Sequence, residues 1–160
     1  MNIKILSGYQ FPEVTKQLFC EYTNMLVQKN KAVADYLVLQ NYDDELANLE
    51  EKYGFPNGRL YLAFVDDKPA GCIGLRKFDS MACEMKRLFV RPAFRGVGLA
   101  KTLVRKIIDD SKEIGYSVML LDTLPFLKEA ITLYYKFGFY EIERYNNSPM
   151  KETIFMQLDL

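Results

Sequence analysis

An apolar strand pattern from Met85 to Val90 runs through Arg95-Gly96-Val97-Gly98-Leu99-Ala100 into a long amphipathic helix. Glycines let a backbone approach a ligand closely, and the free N–H groups and dipole at a helix start favour an anion. Phosphate is the natural guest, although a tight turn alone would use the same glycines. A Walker loop requires one glycine immediately before Lys-Ser/Thr and another further upstream; Ala100 and Arg95 stand at those positions. A dinucleotide fingerprint requires a third glycine where Lys101 falls, although Asp122 follows at a suitable distance. The motif also comes too late in the chain for the usual repeated βαβ halves.

Missing residue types narrow the chemistry further. The chain has no histidine, which excludes Ser-His-Asp and Cys-His mechanisms, histidine-ligated zinc and a histidine general base. Its three cysteines, Cys20, Cys72 and Cys83, have neither CxxC spacing nor an even count. Neither a disulfide framework nor a metal site is expected. Catalysis is left to carboxylates, Tyr, Lys, Cys or backbone groups.

A strand followed by Arg-x-x-Gly-x-Gly/Ala at a helix start resembles the coenzyme A signature of the GNAT superfamily of N-acetyltransferases. Arg95, Gly98 and Ala100 fill its specified positions. Downstream, Ala130-Ile131-Thr132-Leu133-Tyr134-Tyr135-Lys136-Phe137-Gly138-Phe139 resembles the family's second motif, Ala-x-x-Leu-Tyr-x-x-x-Gly-Phe. The two stand in the family's order, separated by one helix and one strand. The resemblance extends from about Leu60 to Tyr145.

This resemblance implies direct transfer of acetyl from acetyl-CoA to a primary amine, on a small-molecule or amino-acid-like acceptor. It implies that Met85–Val90 splays from Ser117–Asp122 and that the pantetheine arm lies in the gap. Backbone groups at Leu88, Phe89 and Val90 would hold the arm and polarise the thioester carbonyl. Amides of Arg95, Gly96, Val97, Gly98, Leu99 and Ala100 would receive the pyrophosphate, and Lys101 could meet a coenzyme phosphate. Tyr134 matches the tyrosine that protonates the departing thiolate, and also fits simple core packing. Glu84 matches the general base of histone-type members, and also fits a strand-end ion pair with Lys86 or Arg87. On strict alternation Glu84, Lys86, Leu88 and Val90 share a face unless a bulge intervenes.

The acceptor side of the family is built from the N-terminal helices and the loop after the penultimate strand. That makes Tyr36, Gln40, Tyr42, Tyr145 and Asn147 candidate substrate residues, and Arg87 is a further candidate from its charge alone. Lys86, Arg87 and Arg76 could pair with a carboxylate on the acceptor. One departure is Leu127, where many members carry a coenzyme-binding Asn. A non-catalytic acyl-CoA sensor would keep the same pocket, and a nucleotide-binding fold is a more distant alternative.

Around these residues the periodicity predicts a short strand at Met1–Leu6, then helices from Pro12, over Ala32–Leu39, and from Asp43 through Tyr53. Strands follow at Arg59–Val65, Ala70–Phe78 and Cys83–Val90. A helix from Leu99 to Ile114, capped by Gly115, leads to a strand at Ser117–Leu121 and a helix at Lys128–Phe137. Strands at Phe139–Tyr145 and Thr153–Leu160 finish the chain, joined by an Asn146–Pro149 turn. The reading is a single α/β (α+β) domain over residues 1–160, a GNAT-like mixed, mostly antiparallel central sheet flanked by helices. With 160 residues, 49% hydrophobic and 26% charged, the composition is that of an ordinary globular protein. Lys and Arg number 21, as do Asp and Glu, so bulk charge gives no reason to expect nucleic acid or a membrane surface as partner. Met1–Gln10 lacks a secretory h-region, and a cytoplasmic monomer or homodimer is the expectation.

Overall fold

A computed structural model describes all residues, 1–160. Seven strands form one sheet: β1 (Ile3–Ser7), β2 (Arg59–Val65), β3 (Lys68–Lys77), β4 (Ala82–Val90), β5 (Val118–Thr123), β6 (Tyr140–Ile142) and β7 (Ile154–Asp159). Their order is β1-β2-β3-β4-β5-β7-β6. All neighbours are antiparallel except β4 and β5. A parallel pair needs a crossover, supplied here by helix α5 (Leu99–Ile114). The β2–β3 hairpin turns on Asp66 and Asp67, both at positive φ (47° and 65°), the backbone that a two-residue hairpin loop demands.

Both sheet faces are covered. Along β2, Leu60, Leu62 and Phe64 join one core and Ala63 and Val65 the other, as a two-residue period dictates. Leu99, Leu103, Val104, Ile107 and Ile108 of α5 bury on the second face against Ile73, Leu75 and Met85. Each such side chain contributes roughly 1.5–3 kcal/mol on burial. The first face carries α1 (Pro12–Lys29) through Leu18 and Phe19, and α4 (Leu49–Tyr53) through Leu49 and Tyr53. A third cluster, Leu26, Val33, Leu124 and Met150, ties α1 and α2 (Ala32–Leu39) to the end of β5. No helix is long and apolar enough to cross a membrane.

Two elements differ from the sequence reading. The helix expected from Asp43 through Tyr53 is two helices, α3 (Tyr42–Ala47) and α4, because Asn48 leaves helical geometry (φ −137°, ψ 66°). The break lets Leu49 and Tyr53 enter the core while Glu45 faces β4. The strand expected over Phe139–Tyr145 is confined to Tyr140–Ile142. Beyond it Arg144 holds the chain in a loop by donating to the carbonyls of Ser148 (2.7 Å) and Met150 (3.4 Å). That loop frees Tyr145 from the sheet.

Candidate active site

The site begins where the sheet comes apart. β4 and β5 pair at Ala82↔Val118, Cys83↔Met119 and Glu84↔Leu120, and no further. Just beyond, β4 bulges. Gly74 pairs with Lys86 but Cys72 with Phe89, so β4 carries one residue more than β3. Arg87 takes up the extra residue at φ 61°, a left-handed conformation that disfavours side chains. The bulge also resets the faces. Lys86 and Arg87 both turn toward the N-terminal helices, whereas Leu88 and Val90 pack on the α5 side. The shared face expected for Glu84, Lys86, Leu88 and Val90 therefore ends at Lys86.

The gap encloses about 60 Å³ between Met85–Leu88 of β4 and Leu121–Leu124 at the end of β5. Helix α6 (Lys128–Phe137) closes it with Tyr134, and Leu127 at the helix start forms an apolar wall. Tyr134 is 6% exposed. Burial, reinforced by Tyr22 and Asp122, pushes its phenol well above the ordinary value, with no hydrogen bond contributing. Since no buried side-chain polar atom lacks a partner, this unbonded hydroxyl opens into the gap. Tyr135 points outward and donates to Glu141 Oε1 at 3.0 Å.

At one end of β4 lies the glycine loop. Arg95 Nε donates to the Val90 carbonyl at 2.9 Å and closes the loop on the strand. Gly96 and Gly98 have φ of 84° and 83° with open space around them, so conformation rather than crowding requires glycine there. The amides from Gly96 to Lys101 have no acceptor in the protein; the first one bonded is Thr102 N–H, to Gly98 at 3.0 Å. Six consecutive free donors at the head of a 16-residue helix make an anion nest.

On the other side the gap meets a larger cavity of about 640 Å³ whose lining residues are mostly of polar type. Tyr36, Gln40 and Lys86 line both spaces. Two ionic clusters shape the cavity. In the first, Glu84 Oε1 accepts Arg76 Nε at 2.8 Å and Oε2 accepts the Tyr145 hydroxyl at 2.5 Å. Burial alone would raise the Glu84 carboxyl, but Lys86, Arg76 and Tyr145 together hold it below its usual range. In the second, Arg87 grips Glu45 with Nε and Nη2, each at 2.9 Å, while Lys52 and Tyr53 donate to the same carboxylate at 2.6 and 2.9 Å. Burial and the Lys86 charge bring Lys52 down to about 8. Tyr36 donates to Asp122 Oδ2, which also accepts Asn146 Nδ2 at 2.8 Å.

The candidates thus fall into three places. Leu88, Phe89 and Val90 run along the gap's strand, with the Phe89 ring packed on Tyr22; Gly96 to Lys101 form the nest, but the Arg95 amide expected with them is taken by the Pro92 carbonyl at 3.3 Å; Tyr36, Tyr145 and Glu84 line the cavity. Arg87 lies beneath, occupied by Glu45 and Gln40. Burial pushes the Cys83 thiol up to about 12, so it stays protonated. Sequence reasoning weighed Asp122 only as the acid of a dinucleotide fingerprint. Its contacts with Tyr36 and Asn146, 86 and 24 residues away, leave no trace in local spacing.

The acetyltransferase (GNAT) family model matches residues 21–139. The chain belongs to the GNAT acetyltransferase family. An uncharacterised N-acetyltransferase of Schizosaccharomyces pombe is 44% identical over 126 residues, 78% of this chain and 77% of its own. Human N-acetylaspartate synthetase is 31% identical over 111 residues, 68% of this chain but 36% of its own length. A GNAT acetyltransferase from Elizabethkingia anophelis, solved with acetyl-CoA bound, is 25% identical with a TM-score of 0.57, covering 65% of this chain and 77% of that one. This GNAT chain is accordingly an acetyl-CoA-dependent acyltransferase of mixed α/β fold. The free amides of Gly96–Lys101 are donors of the kind a diphosphate such as the coenzyme's requires.

Proposed function

We propose that this enzyme moves acetyl directly from acetyl-CoA to the primary amine of a small-molecule acceptor, without an acyl-enzyme. The observation that carries this reading is the β4–β5 gap, with the unbonded Tyr134 hydroxyl at its wall and the acceptor cavity joined to it at Lys86. The amide nest at Gly96–Lys101 takes the pyrophosphate, the backbone of Leu88–Val90 takes the pantetheine, and a β4 amide polarises the thioester carbonyl.

The neutral amine attacks the carbonyl carbon, a C–N bond forms, and the C–S bond breaks. Tyr134 gives its proton to the leaving sulfur and is reprotonated from solvent; its raised pKa keeps the phenol loaded. Two carboxylates border the amine's path. Glu84 has both oxygens engaged and is held a weak base. Asp122 has an oxygen, Oδ1, that accepts no hydrogen bond, and it lines the gap itself. Asp122 therefore takes the amine proton through water in this reading, and Glu84 fixes Arg76 and Tyr145 around the acceptor.

Calorimetric titration with acetyl-CoA, CoA, NAD and ATP is the first test, followed by thiol release with a panel of amines. Selective binding of the CoA pair and amine-dependent thiol release are expected. Coenzyme binding without turnover by any amine would replace the enzyme reading with that of an acyl-CoA sensor.

A further inference from the structure

We infer that the acceptor carries a carboxylate close to its amine, as an amino acid does, and that Lys86 binds it. This rests on the acetyl-transfer reading above and names the substrate class of the same site.

The Lys86 side chain is 7% exposed. A buried ammonium needs an anion or several acceptors. Its nearest anion, Glu84 Oε1, lies 3.9 Å away, beyond hydrogen-bond reach, and already accepts Arg76 Nε. Because no buried side-chain polar atom is left without a partner, the unbonded Lys86 ammonium faces the space it lines. The other cations at this cavity are each hydrogen-bonded to a carboxylate. Arg76 is held by Glu84, and Lys52 by Glu45 at 2.6 Å. The remaining carboxylates do not offset Lys86. Asp44 and Glu51 lie on the exposed rim, and Asp122 is bonded to Tyr36 and Asn146.

Lys86 is thus the one cation of the cavity without a hydrogen-bonded anion, and it stands at the inner end where cavity and gap join. With Arg76 Nε turned onto Glu84, the Lys86 ammonium is the donor left for a ligand, and a single point charge suits a carboxylate better than a phosphate. Its position limits the skeleton. A carboxylate on Lys86 and an amine reaching the thioester gap next to it are separated by a few bonds, the spacing of an α- or β-amino acid. The rest of the cavity, bordered by Asn147 and Asn48, accommodates a polar side chain.

The experiment compares kcat/KM for amino acids, their amides and the matching decarboxylated amines, by thiol release, in wild type, Lys86→Met and Lys86→Arg. Acids are expected to exceed amides by about 10- to 100-fold, chiefly through KM. Lys86→Met should abolish that preference and Lys86→Arg restore part of it. Both variants should keep the wild-type acetyl-CoA affinity by calorimetry and fold normally by thermal melting. Amides or plain amines used as well as acids by the wild type would overturn the proposal, as would a preference surviving in Lys86→Met. Failure of the acetyl-transfer reading looks different, with no thiol released for any amine. In that case saturation-transfer NMR on the CoA complex, with amino acids against their amides, still decides whether Lys86 selects carboxylates. Equal binding of both, or of neither, overturns it.

Discussion

Arg87, held at φ 61° within β4, is clamped through two nitrogens by Glu45 of α3, 42 residues away, each contact at 2.9 Å. The residue that breaks the β4 register is therefore fixed by the helix that walls the acceptor cavity. Breaking a buried pair on one side leaves an uncompensated charge and costs about 3–5 kcal/mol. Arg87→Ala should lower the melting temperature by roughly 6–20 °C at about 2–4 °C per kcal/mol for this size of chain. Arg87→Gly loses the same pair but tolerates the positive φ, a difference of roughly 1–2 kcal/mol. Glycine should be the more stable replacement in thermal melts, and alanine matching or exceeding it would remove strain from the account.

The same pair makes the fold sensitive to acid. Burial alone would raise the Glu45 carboxyl, but the bonds and charges of Arg87 and Lys52 outweigh it and hold it down at about 2. A carboxyl depressed on folding stabilises above its unfolded value of 4.5, and that contribution is lost as pH falls through the folded value. It amounts to about 3 kcal/mol at neutral pH. Urea melts should therefore weaken between about pH 4.5 and pH 2, and Glu45→Gln should flatten that slope. An unchanged slope would assign the acid transition to other groups.

These networks mark the limit of what the sequence made legible. The glycine loop, α5 and the Tyr134 helix were readable because each depends on contiguous residues: positive-φ glycines, a three-and-four apolar period, a glycine cap. The β4–β5 splay was expected only from the family resemblance. The Arg87 bulge, which resets the faces after Lys86, was allowed for but not located, although the adjacent polar pair Lys86-Arg87 between Met85 and Leu88 interrupts strict alternation. Asn48 gave no glycine or proline to mark the helix break. Tyr145 was expected in a strand, and its place on Glu84 depends on a loop held by the Arg144 side chain.

The amide nest should separate binding from chemistry. Gly98→Ala forces a side chain into φ 83° at the start of α5, at a cost of roughly 1–2 kcal/mol. Relaxing that strain would tilt the free amides away from the pyrophosphate. The acetyl-CoA dissociation constant should rise about 10-fold by calorimetry while kcat at saturation stays near wild type. A fall in kcat with unchanged affinity would place Gly98 outside the phosphate site.

Tyr134→Phe removes one oxygen that bonds to nothing in the protein, so folding and coenzyme affinity should persist. Turnover should drop about 100-fold, within the range general acids supply. The wild-type rate should show no loss attributable to this phenol up to pH 9, because burial raises its pKa and the proton remains available. A variant with full turnover would reduce Tyr134 to a wall of the gap.

Asp122 and Glu84 make opposite predictions as proton acceptors. Asp122→Asn keeps an oxygen for Tyr36, so the wall of the gap survives, yet the group that takes the amine proton is gone. Its kcat/KM should fall about 100-fold at pH 7. The loss should shrink as pH rises toward ~10, where the amine deprotonates unaided. Glu84→Gln should behave differently. It leaves Arg76 without the buried carboxylate that holds it and Lys86 without its nearest anion, so stability and acceptor KM should suffer, with the same fractional loss at every pH. A pH-dependent rescue in Glu84→Gln, and none in Asp122→Asn, would exchange the two roles and return the base to β4.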